Sequence, residues 1–275
     1  MLNLDSARRG NLAAEFFALW VDPAEHPLGT HTDRALKLLD SVVEQVKRHP
    51  QQLALCLSSE DICAAHAQQK FGVMLSLEGG HAIENSLAQL QAFYARGVRS
   101  MTLTWTNHTD WADSCAHPPI HHGLTDFGRE VVREMNRLGM IIDVAHISDE
   151  TLRDVLATTS APVAATHSSA RALTGVPRNL TDDQLRAIAA QGGIAMVNFY
   201  PGFIDIHWRD AWEASRAERQ AMQRVQSEPY RAAGCNASRP ARLARCHKPA
   251  ASRPRADRAD CHLRHFHGAV DLQAL

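Results

Sequence analysis

Six short, continuous apolar runs recur along the chain as far as Phe199, and each one leads into a turn or a polar segment. A run of this length that does not alternate with polar residues is typical of a strand buried on both faces of a parallel sheet. The runs are Leu53–Leu57, Gly72–Leu77, Arg99–Thr104, Met140–Ala145, Pro162–Thr166 and Ile194–Phe199. Most of the intervals between them are long enough for a helix, so the sequence predicts an α/β protein with a parallel sheet.

Amphipathic segments with helix-start and helix-stop residues lie between these runs. Thr32–Arg48 carries apolar residues at three- and four-residue steps, which predicts a helix. Ala82–Arg96 and Thr125–Leu138 each end immediately before a glycine, the residue that best adopts the left-handed conformation after a helix. Ser148 and Thr181 precede two further helical segments and are good N-cap residues. The alternation of strand and helix therefore continues through most of the chain.

Glu78, His146 and His167 each stand immediately after one of the six apolar runs. The carboxyl ends of parallel strands lie on one side of a sheet, so we expect these three side chains to converge. A doubly wound sheet and a (β/α)₈ barrel both fit the strand pattern, but functional groups at the ends of several consecutive strands favour the barrel. Six strands are two fewer than a closed barrel of this kind requires.

The same three residues have separate structural explanations and one shared functional explanation. Glu78 opens a Glu-Gly-Gly turn, which is a common motif. A single histidine at a strand end is usually a partly buried, hydrogen-bonded side chain. Two histidines and a carboxylate at one edge of a sheet, however, are ligands that suit Zn²⁺. Together they predict a metal centre with Zn²⁺ as the cofactor.

Composition excludes several classes of protein. The formal net charge of −1 gives no general argument for a nucleic-acid partner. No apolar run approaches the length needed to cross a membrane. The N-terminus lacks the basic and then apolar pattern of a secretory signal, so we expect a cytoplasmic protein without a membrane partner. The six cysteines show no CxxC spacing, which argues against a disulfide framework.

The near-zero charge conceals an asymmetry that divides the chain into 1–233 and 234–275. The second segment holds eight basic and three acidic residues, whereas the first holds 21 basic and 27 acidic residues. The basic segment has three explanations: a tail that binds nucleic acid or an acidic partner, a zinc site, or unstructured sequence from a shifted reading frame. The zinc ligands would come from Cys235, Cys246, Cys261, His247, His262, His265 and His267, whose spacings match no common structural zinc pattern.

Several motifs at the strand ends occur in the order found in a known family. The segments VMLSLEGGH, DWADS, GLTDFGREVVREMNRLGMIIDVAHIS and PVAATHSSARAL, followed by PRN, resemble the renal (membrane) dipeptidase family, metallopeptidase family M19. The resemblance covers roughly residues 10–233. It implies a (β/α)₈ TIM barrel of the metal-dependent hydrolase type that holds two zinc ions. It also implies hydrolysis of dipeptides by a metal-activated water.

The resemblance assigns roles to individual residues. Glu78 corresponds to the glutamate that bridges the two metals, and His146 and His167 correspond to the histidines that complete the second metal's shell. Arg178, in PRN, corresponds to the arginine that binds the substrate carboxylate through the planar fork of its guanidinium group. Asp113, in WAD, belongs to a shared motif, and a structural role in its loop explains it as well as a chemical one.

The sequence departs from the family pattern in three places. The family's first strand ends in a His-x-Asp pair that binds the first metal, but the chain opens at a segment that resembles the stretch after that strand. The sequence His31-Thr32-Asp33 has the same letters, but it opens a helix and is not counted as that pair. The family's last strand carries a Gly-x-Asp-Phe-Asp segment with an aspartate that is important for catalysis. This sequence has no such segment, so no catalytic residue is assigned. Trp105 replaces a histidine of many members, and His108 would substitute only if its loop bends toward the metals.

We therefore expect an incomplete barrel that lacks its first and last strands and holds one zinc ion or none. Open edges of a parallel sheet expose unpaired backbone groups, which favours a homodimer. The primary functional hypothesis is a zinc-dependent dipeptidase with a dipeptide as substrate. The alternatives are a truncated, non-catalytic remnant with at most one metal site, and a binding module that uses the basic C-terminal tail.

Overall fold

The computed structural model of the chain describes residues 3–222. The chain divides into two compact units after Ile204, and their described parts are residues 3–204 and 205–222. The basic segment 234–275, with its candidate zinc ligands, lies outside the described residues. No helix within the described range is both long enough and apolar enough to cross a lipid bilayer.

A sheet of seven parallel strands forms the centre of the first unit. The strands are β1 (Ala14–Trp20), β2 (Leu53–Leu55), β3 (Phe71–Glu78), β4 (Val98–Thr102), β5 (Ile141–Asp143), β6 (Ala164–Ser168) and β7 (Ile194–Val197). Their spatial order is β1-β3-β4-β5-β6-β7, and β2 pairs with the start of β3 outside this path. All pairings are parallel, so the strands end on the same side of the sheet.

The structure confirms the predicted α/β class and all six predicted strands, and it adds a strand that the sequence analysis did not assign. This strand, β1, has the sequence AEFFALW, in which Glu15 interrupts the apolar run. It forms because all seven of its residues pair with β3, from Ala14 opposite Gly72 to Trp20 opposite Glu78. Such long-range pairing leaves little signal in the local sequence.

The two ends of the strand path are open. Among residues 3–222, β1 pairs only with β3 and β7 pairs only with β6, so each has one edge without a neighbouring strand. This agrees with the incomplete barrel expected from the sequence. All four residues of β7 are exposed, and Val197 and Phe199 are 60% and 84% exposed. The β7 edge is therefore an apolar surface that the described part of the chain leaves uncovered.

Helices connect the strands and cover the sheet. They are α1 (Leu4–Arg9), α2 (His31–Arg48), α3 (Ser59–Ala67), α4 (Leu87–Ala95), α5 (Asp126–Leu138), α6 (Asp149–Thr158), α7 (Asp182–Ala190) and the short α8 (Pro201–Ile204). The side chains of Ser148 and Thr181 cap α6 and α7 as predicted, and the side chain of Thr125 caps α5. Each accepts a hydrogen bond from a backbone N–H of the first turn that would otherwise have no partner.

The predicted helix Ala82–Arg96 is wrong in its first part. Gly80–Ile83 forms one turn of 3₁₀ helix, and the chain then passes through left-handed residues at Glu84 and Asn85. The α-helix α4 begins only after Ser86, whose side chain caps it. The break turns the backbone away from the end of β3, so that α4 can pack beside the sheet.

The core lies between the strands and the helices that cover them. Leu75, Leu77 and Met101 of the strands are fully buried, as are Val131 and Met135 of α5. Burial of each large aliphatic side chain stabilises the fold by about 1.5–3 kcal/mol. This core fixes the strand ends at which the candidate site residues stand.

The second unit is helical over its described residues. Its helix α9 (Ile206–Ala214) begins at Asp205, whose side chain accepts hydrogen bonds from the backbone of His207 and Trp208. The rings of Trp208 and Trp212 stack with their centroids 5.1 Å apart. None of the residues singled out for the metal centre belongs to this unit.

Candidate metal centre

Glu78, His146 and His167 meet at one point on the side where the strands end. Glu78 is the last residue of β3, His167 lies in β6, and His146 follows the end of β5 by three residues. The Glu78 Oε1 atom lies 3.5 Å from His146 Nε2 and 3.6 Å from His167 Nε2. The two Nε2 atoms are 2.8 Å apart. Among residues 3–222, this is the one group of three such side chains with its ligand atoms close enough to share an ion.

These distances suit a metal ion of the size of Zn²⁺. Ligand bonds of roughly 2.0–2.2 Å in tetrahedral geometry place the ligand atoms about 3.4 Å from one another. The two distances from Glu78 agree with this value, and only the two imidazoles would have to separate by about half an ångström. One carboxylate oxygen and two imidazole nitrogens leave a fourth position for a water or a substrate atom. The donor set therefore fits the predicted ion.

The protonation states also favour metal binding. Burial alone would raise the pKa of the Glu78 carboxyl, but hydrogen bonds and charge interactions with His146 and His167 hold that pKa well below its usual value. Burial, with a smaller contribution from Arg178, lowers the pKa of His146 to about 4 despite the nearby Glu78. At neutral pH Glu78 is thus a carboxylate and His146 a neutral imidazole, which are the forms that bind a cation.

The backbone at His146 adopts a strained conformation that directs its ring to the centre. Its φ of 70° lies in the left-handed region, which non-glycine residues rarely enter. Two hydrogen bonds hold this turn: Cys115 N–H donates to the carbonyl of His146 over 2.8 Å, and Ala145 N–H donates to Asp143 Oδ1 over 3.0 Å. Strain of this kind persists where the surrounding structure fixes it and is common at functional sites.

The two glycines after Glu78 are required by the protein's own packing. Gly79 has a φ of 106°, and a Cβ atom there would lie 2.3 Å from the ring of His81. A Cβ atom on Gly80 would lie 2.5 Å from Trp111 Cζ2 and 2.6 Å from the carbonyl of Leu103. The turn that carries Glu78 is therefore packed tightly against a buried tryptophan.

Arg178 lies next to the three ligand residues. Its Nη2 donates a hydrogen bond to the carbonyl of His167 over 3.0 Å, and its guanidinium carbon is 5.5 Å from the ring centroid of Phe203. Its Nη1 is buried and has no hydrogen-bond partner among residues 3–222. Burial lowers the pKa of Arg178 from its usual value. A buried guanidinium with one free side is prepared to bind an anion beside the metal position.

The structure places Trp105, His108 and Asp113 in two different settings. The Trp105 ring lies beside the ring of His146 at a centroid distance of 6.4 Å, so it borders the centre. His108 Nδ1 lies 3.2 Å from Asp113 Oδ1 and 3.1 Å from the backbone nitrogen of Ser114. His108 is therefore held by its own loop, and it is not one of the three grouped ligands.

Asp113 organises that loop. Its side chain is completely buried and accepts hydrogen bonds from three backbone N–H groups, those of Ile120, His121 and Gly123. Burial acts to raise the pKa of Asp113, but these hydrogen bonds outweigh it and lower that pKa. These contacts support the structural explanation of Asp113 that the sequence left open.

A second pair of histidines packs behind the Glu78 turn and was not recognised in the sequence. The rings of His31 and His81 meet edge to face with centroids 5.2 Å apart. Each Nε2–H donates to a backbone carbonyl, that of His26 for His31 and that of Val21 for His81. The two Nδ1 atoms are buried without a hydrogen-bond partner in the described range. His31 opens α2, as the sequence predicts, and takes no part in the ligand group.

We expect His81 to make the stability of the fold depend on pH. Burial and the neighbouring His31 lower the pKa of His81, although its bond to Val21 acts in the opposite direction. As the pH falls below about 6.5, the unfolded chain takes up a proton at this residue before the folded chain does, so stability decreases. The urea midpoint of the metal-free protein should fall less between pH 7 and pH 5 in His81→Gln than in the wild type.

The exposed His66 of α3 provides the matched control for this experiment. His66→Gln replaces an exposed imidazole and should keep the pH dependence of the wild type. An unchanged slope in His81→Gln would contradict the prediction.

Comparison with known proteins gives a consistent picture. A family model described as membrane dipeptidase, peptidase family M19, matches residues 1–264. Dipeptidase 3 of Mus musculus is 37% identical over 207 residues, which are 74% of this chain and 41% of the relative. Dipeptidase 3 of Rattus norvegicus is 36% identical over the same length and with the same coverage. The chain thus spans less than half the length of these curated relatives.

Solved structures show the same relationship. The probable dipeptidase PvdM from Pseudomonas aeruginosa is 31% identical with a TM-score of 0.69, over 74% of this chain and 55% of that chain. A metallopeptidase from Rhodobacter sphaeroides, solved with a phosphinate mimic of the dipeptide L-Ala-D-Ala, is 27% identical with a TM-score of 0.69, over 74% and 66% of the two chains. The resemblance drawn from the strand-end motifs is thereby confirmed, and the chain belongs to the membrane dipeptidase family, peptidase family M19.

Proposed function

We propose that the chain is a zinc-dependent dipeptidase. The observation that carries this proposal is the convergence of Glu78 Oε1, His146 Nε2 and His167 Nε2 in a member of a metallopeptidase family. A bound zinc ion would supply a water of lowered pKa and would polarise the substrate carbonyl. Glu78, His146 and His167 would hold the ion, and their number suits a single ion.

Arg178 would bind and orient the substrate. A dipeptide ends in a carboxylate, and the buried Nη1 of Arg178 is a charged donor without a partner in the described range. Because Arg178 is also bonded to the carbonyl of His167, a carboxylate bound there would lie next to the metal position. Trp105, beside His146, would limit access of solvent from its side of the site.

Measurement of zinc content and hydrolysis on the same purified chain tests the proposal. L-Ala-D-Ala is a reasonable first substrate because a neighbouring structure binds a mimic of it. We expect about one zinc ion per chain and release of free alanine that stops on chelation and returns with added zinc. Zinc binding without hydrolysis would favour the non-catalytic remnant. A chain that neither binds zinc nor hydrolyses dipeptides would contradict the zinc-dependent dipeptidase and would also favour the remnant, which holds at most one metal. The tail-binding hypothesis concerns residues outside the described range.

We expect Arg178→Met to weaken recognition of the substrate carboxylate. The variant keeps a long side chain and removes the charge, so kcat/KM for dipeptides should fall by at least about 30-fold, the equivalent of about 2 kcal/mol. The matched measurement uses dipeptide amides, which lack the carboxylate. The wild type should prefer the free dipeptide, and Arg178→Met should treat the two substrates alike. A variant that keeps the preference would show that Arg178 does not bind this group.

A homodimer formed through the β7 edge is also part of this proposal. It is supported by the exposed apolar residues Val197 and Phe199 beside an unpaired strand edge. Sedimentation equilibrium should detect the dimer, and a monomer at all concentrations would exclude it.

A further inference from the structure

Asp143 connects three neighbouring strands immediately behind the metal centre. It is the last residue of β5, and its side chain is 1% exposed. Its Oδ2 lies 2.7 Å from the Thr102 hydroxyl of β4 and 2.6 Å from the Thr166 hydroxyl of β6. Its Oδ1 accepts from the backbone N–H groups of Ala145 and Thr166. β5 and β6 share a single register pair, and the Asp143 side chain adds two hydrogen bonds from Thr166 between them.

The contacts of Thr166 fix the direction of its hydroxyl proton. With two N–H donors on Oδ1 and two hydroxyls on Oδ2, the carboxylate of Asp143 is an acceptor at all four contacts. The single proton of the Thr166 hydroxyl is therefore directed at Asp143. The same hydroxyl oxygen lies 2.8 Å from His167 Nδ1 and can only accept there. His167 Nδ1 must then carry the proton, which leaves the lone pair on Nε2.

The other histidine of the centre has no such support. His146 Nδ1 is buried and has no hydrogen-bond partner among residues 3–222. The backbone turn and the packing hold the His146 ring, whereas a polar chain through Thr166 to Asp143 holds the His167 ring. The two imidazoles are therefore organised by different means, and only the Nδ1 atom of His167 has a hydrogen-bond partner within the described range.

We infer that Asp143 and Thr166 are positioning residues of the metal centre: together they hold His167 in the tautomer whose Nε2 lone pair faces Glu78 and His146. This inference rests on the proposed zinc site for its function but not for its geometry. Hydrogen bonds from a ligating histidine to a second group orient the ring and fix its tautomer, and their loss typically weakens metal binding 10- to 100-fold. Here a threonine hydroxyl lies between the histidine and the carboxylate.

Nitrogen-15 NMR of the histidine rings in the metal-free full chain tests the geometry directly. Long-range proton–nitrogen spectra distinguish the Nδ1–H tautomer from the Nε2–H tautomer. We expect His167 to be in the Nδ1–H form in the wild type and to lose that preference in Thr166→Val. Thr166→Ser, which keeps a hydroxyl, should restore it. Detection of the Nε2–H form in the wild type would overturn the inference, and this measurement needs no variant to fold.

Zinc affinity provides the second measurement, with a control in the same network. Thr166→Val should weaken zinc binding about 10- to 100-fold, whereas Thr166→Ser should stay close to the wild type. Thr102→Val removes the other hydroxyl that donates to Asp143 Oδ2. Thr102 is not the residue bonded to His167 Nδ1, so this variant should leave the His167 tautomer unchanged and weaken zinc binding much less. Equal effects of Thr166→Val and Thr102→Val would show a merely structural role and overturn the inference.

The two proposals fail in different ways. A wild-type chain that binds no zinc would contradict the proposed function, while the tautomer of His167 would still decide the inference. If the wild type binds zinc, and Thr166→Val has the same zinc affinity and the same His167 tautomer, the proposed function stands. The positioning role of Asp143 and Thr166 would then be contradicted.

Discussion

Replacement of Glu78 by Gln is expected to weaken zinc binding by more than about 100-fold, a larger loss than that of an outer hydrogen-bond partner. The change keeps the size of the side chain but removes the negative charge and one acceptor. Glu78 Oε1 lies 3.5 Å from His146 Nε2 and 3.6 Å from His167 Nε2. Its amide replacement would offer a weaker neutral oxygen, or an N–H group that cannot bind a cation. Titration against a chromogenic chelator measures the affinity.

Glu130 of α5 provides the control for this experiment, because it is an exposed glutamate at a distance in sequence from all three ligands. Glu130→Gln should bind zinc as the wild type does. Thermal unfolding of both metal-free variants shows whether the fold is intact. Zinc affinity of Glu78→Gln within tenfold of the wild type would contradict the assignment of Glu78 as a ligand.

Replacement of Gly80 by Ala should destabilise the protein by about 2–3 kcal/mol, because the new methyl group has no space. It would lie 2.5 Å from the ring of Trp111, which is 1% exposed, and 2.6 Å from the carbonyl of Leu103. Neither neighbour is the end of a flexible side chain. The melting temperature should fall by roughly 5–10 °C for a chain of this size, and the turn that carries Glu78 should shift.

Gly175 offers a matched glycine in open surroundings. A Cβ atom there meets no atom within 4 Å, and its backbone does not require a positive φ. Gly175→Ala should therefore change the stability by less than about 0.5 kcal/mol. Equal melting temperatures for Gly80→Ala and Gly175→Ala would show that the turn relaxes more easily than its contacts indicate.

The part of the site that could be predicted from the sequence lies at the ends of continuous apolar runs. Glu78, His146 and His167 are the first polar residues after such runs, and parallel strands bring their ends together. The hydrogen-bond partners behind them could not be predicted in the same way. Asp143 stands inside the run MIIDVA, and its partner Thr166 lies 23 residues later, in the next run. Their contact depends on strand register, which local sequence does not encode.

The fold shows the same limit. Capping residues such as Ser148 and Thr181 predicted helix starts correctly, because a cap is a local interaction between residues a few positions apart. The strand β1 was not predicted because it is stabilised by pairing with β3, more than 50 residues away in the sequence. The contact between His31 and His81 also joins distant segments and leaves no pattern in either one.

The position of the three ligands within the strand order has a consequence for how the site opens. β3, β5 and β6 each lie between two other strands of the path, whereas the open edges belong to β1 and β7. Edge strands exchange their amide hydrogens through local fraying, but interior strands do so only through openings that approach global unfolding. Zinc should therefore slow exchange mainly in the most protected amides, and fraying of β7 alone should not release the ion.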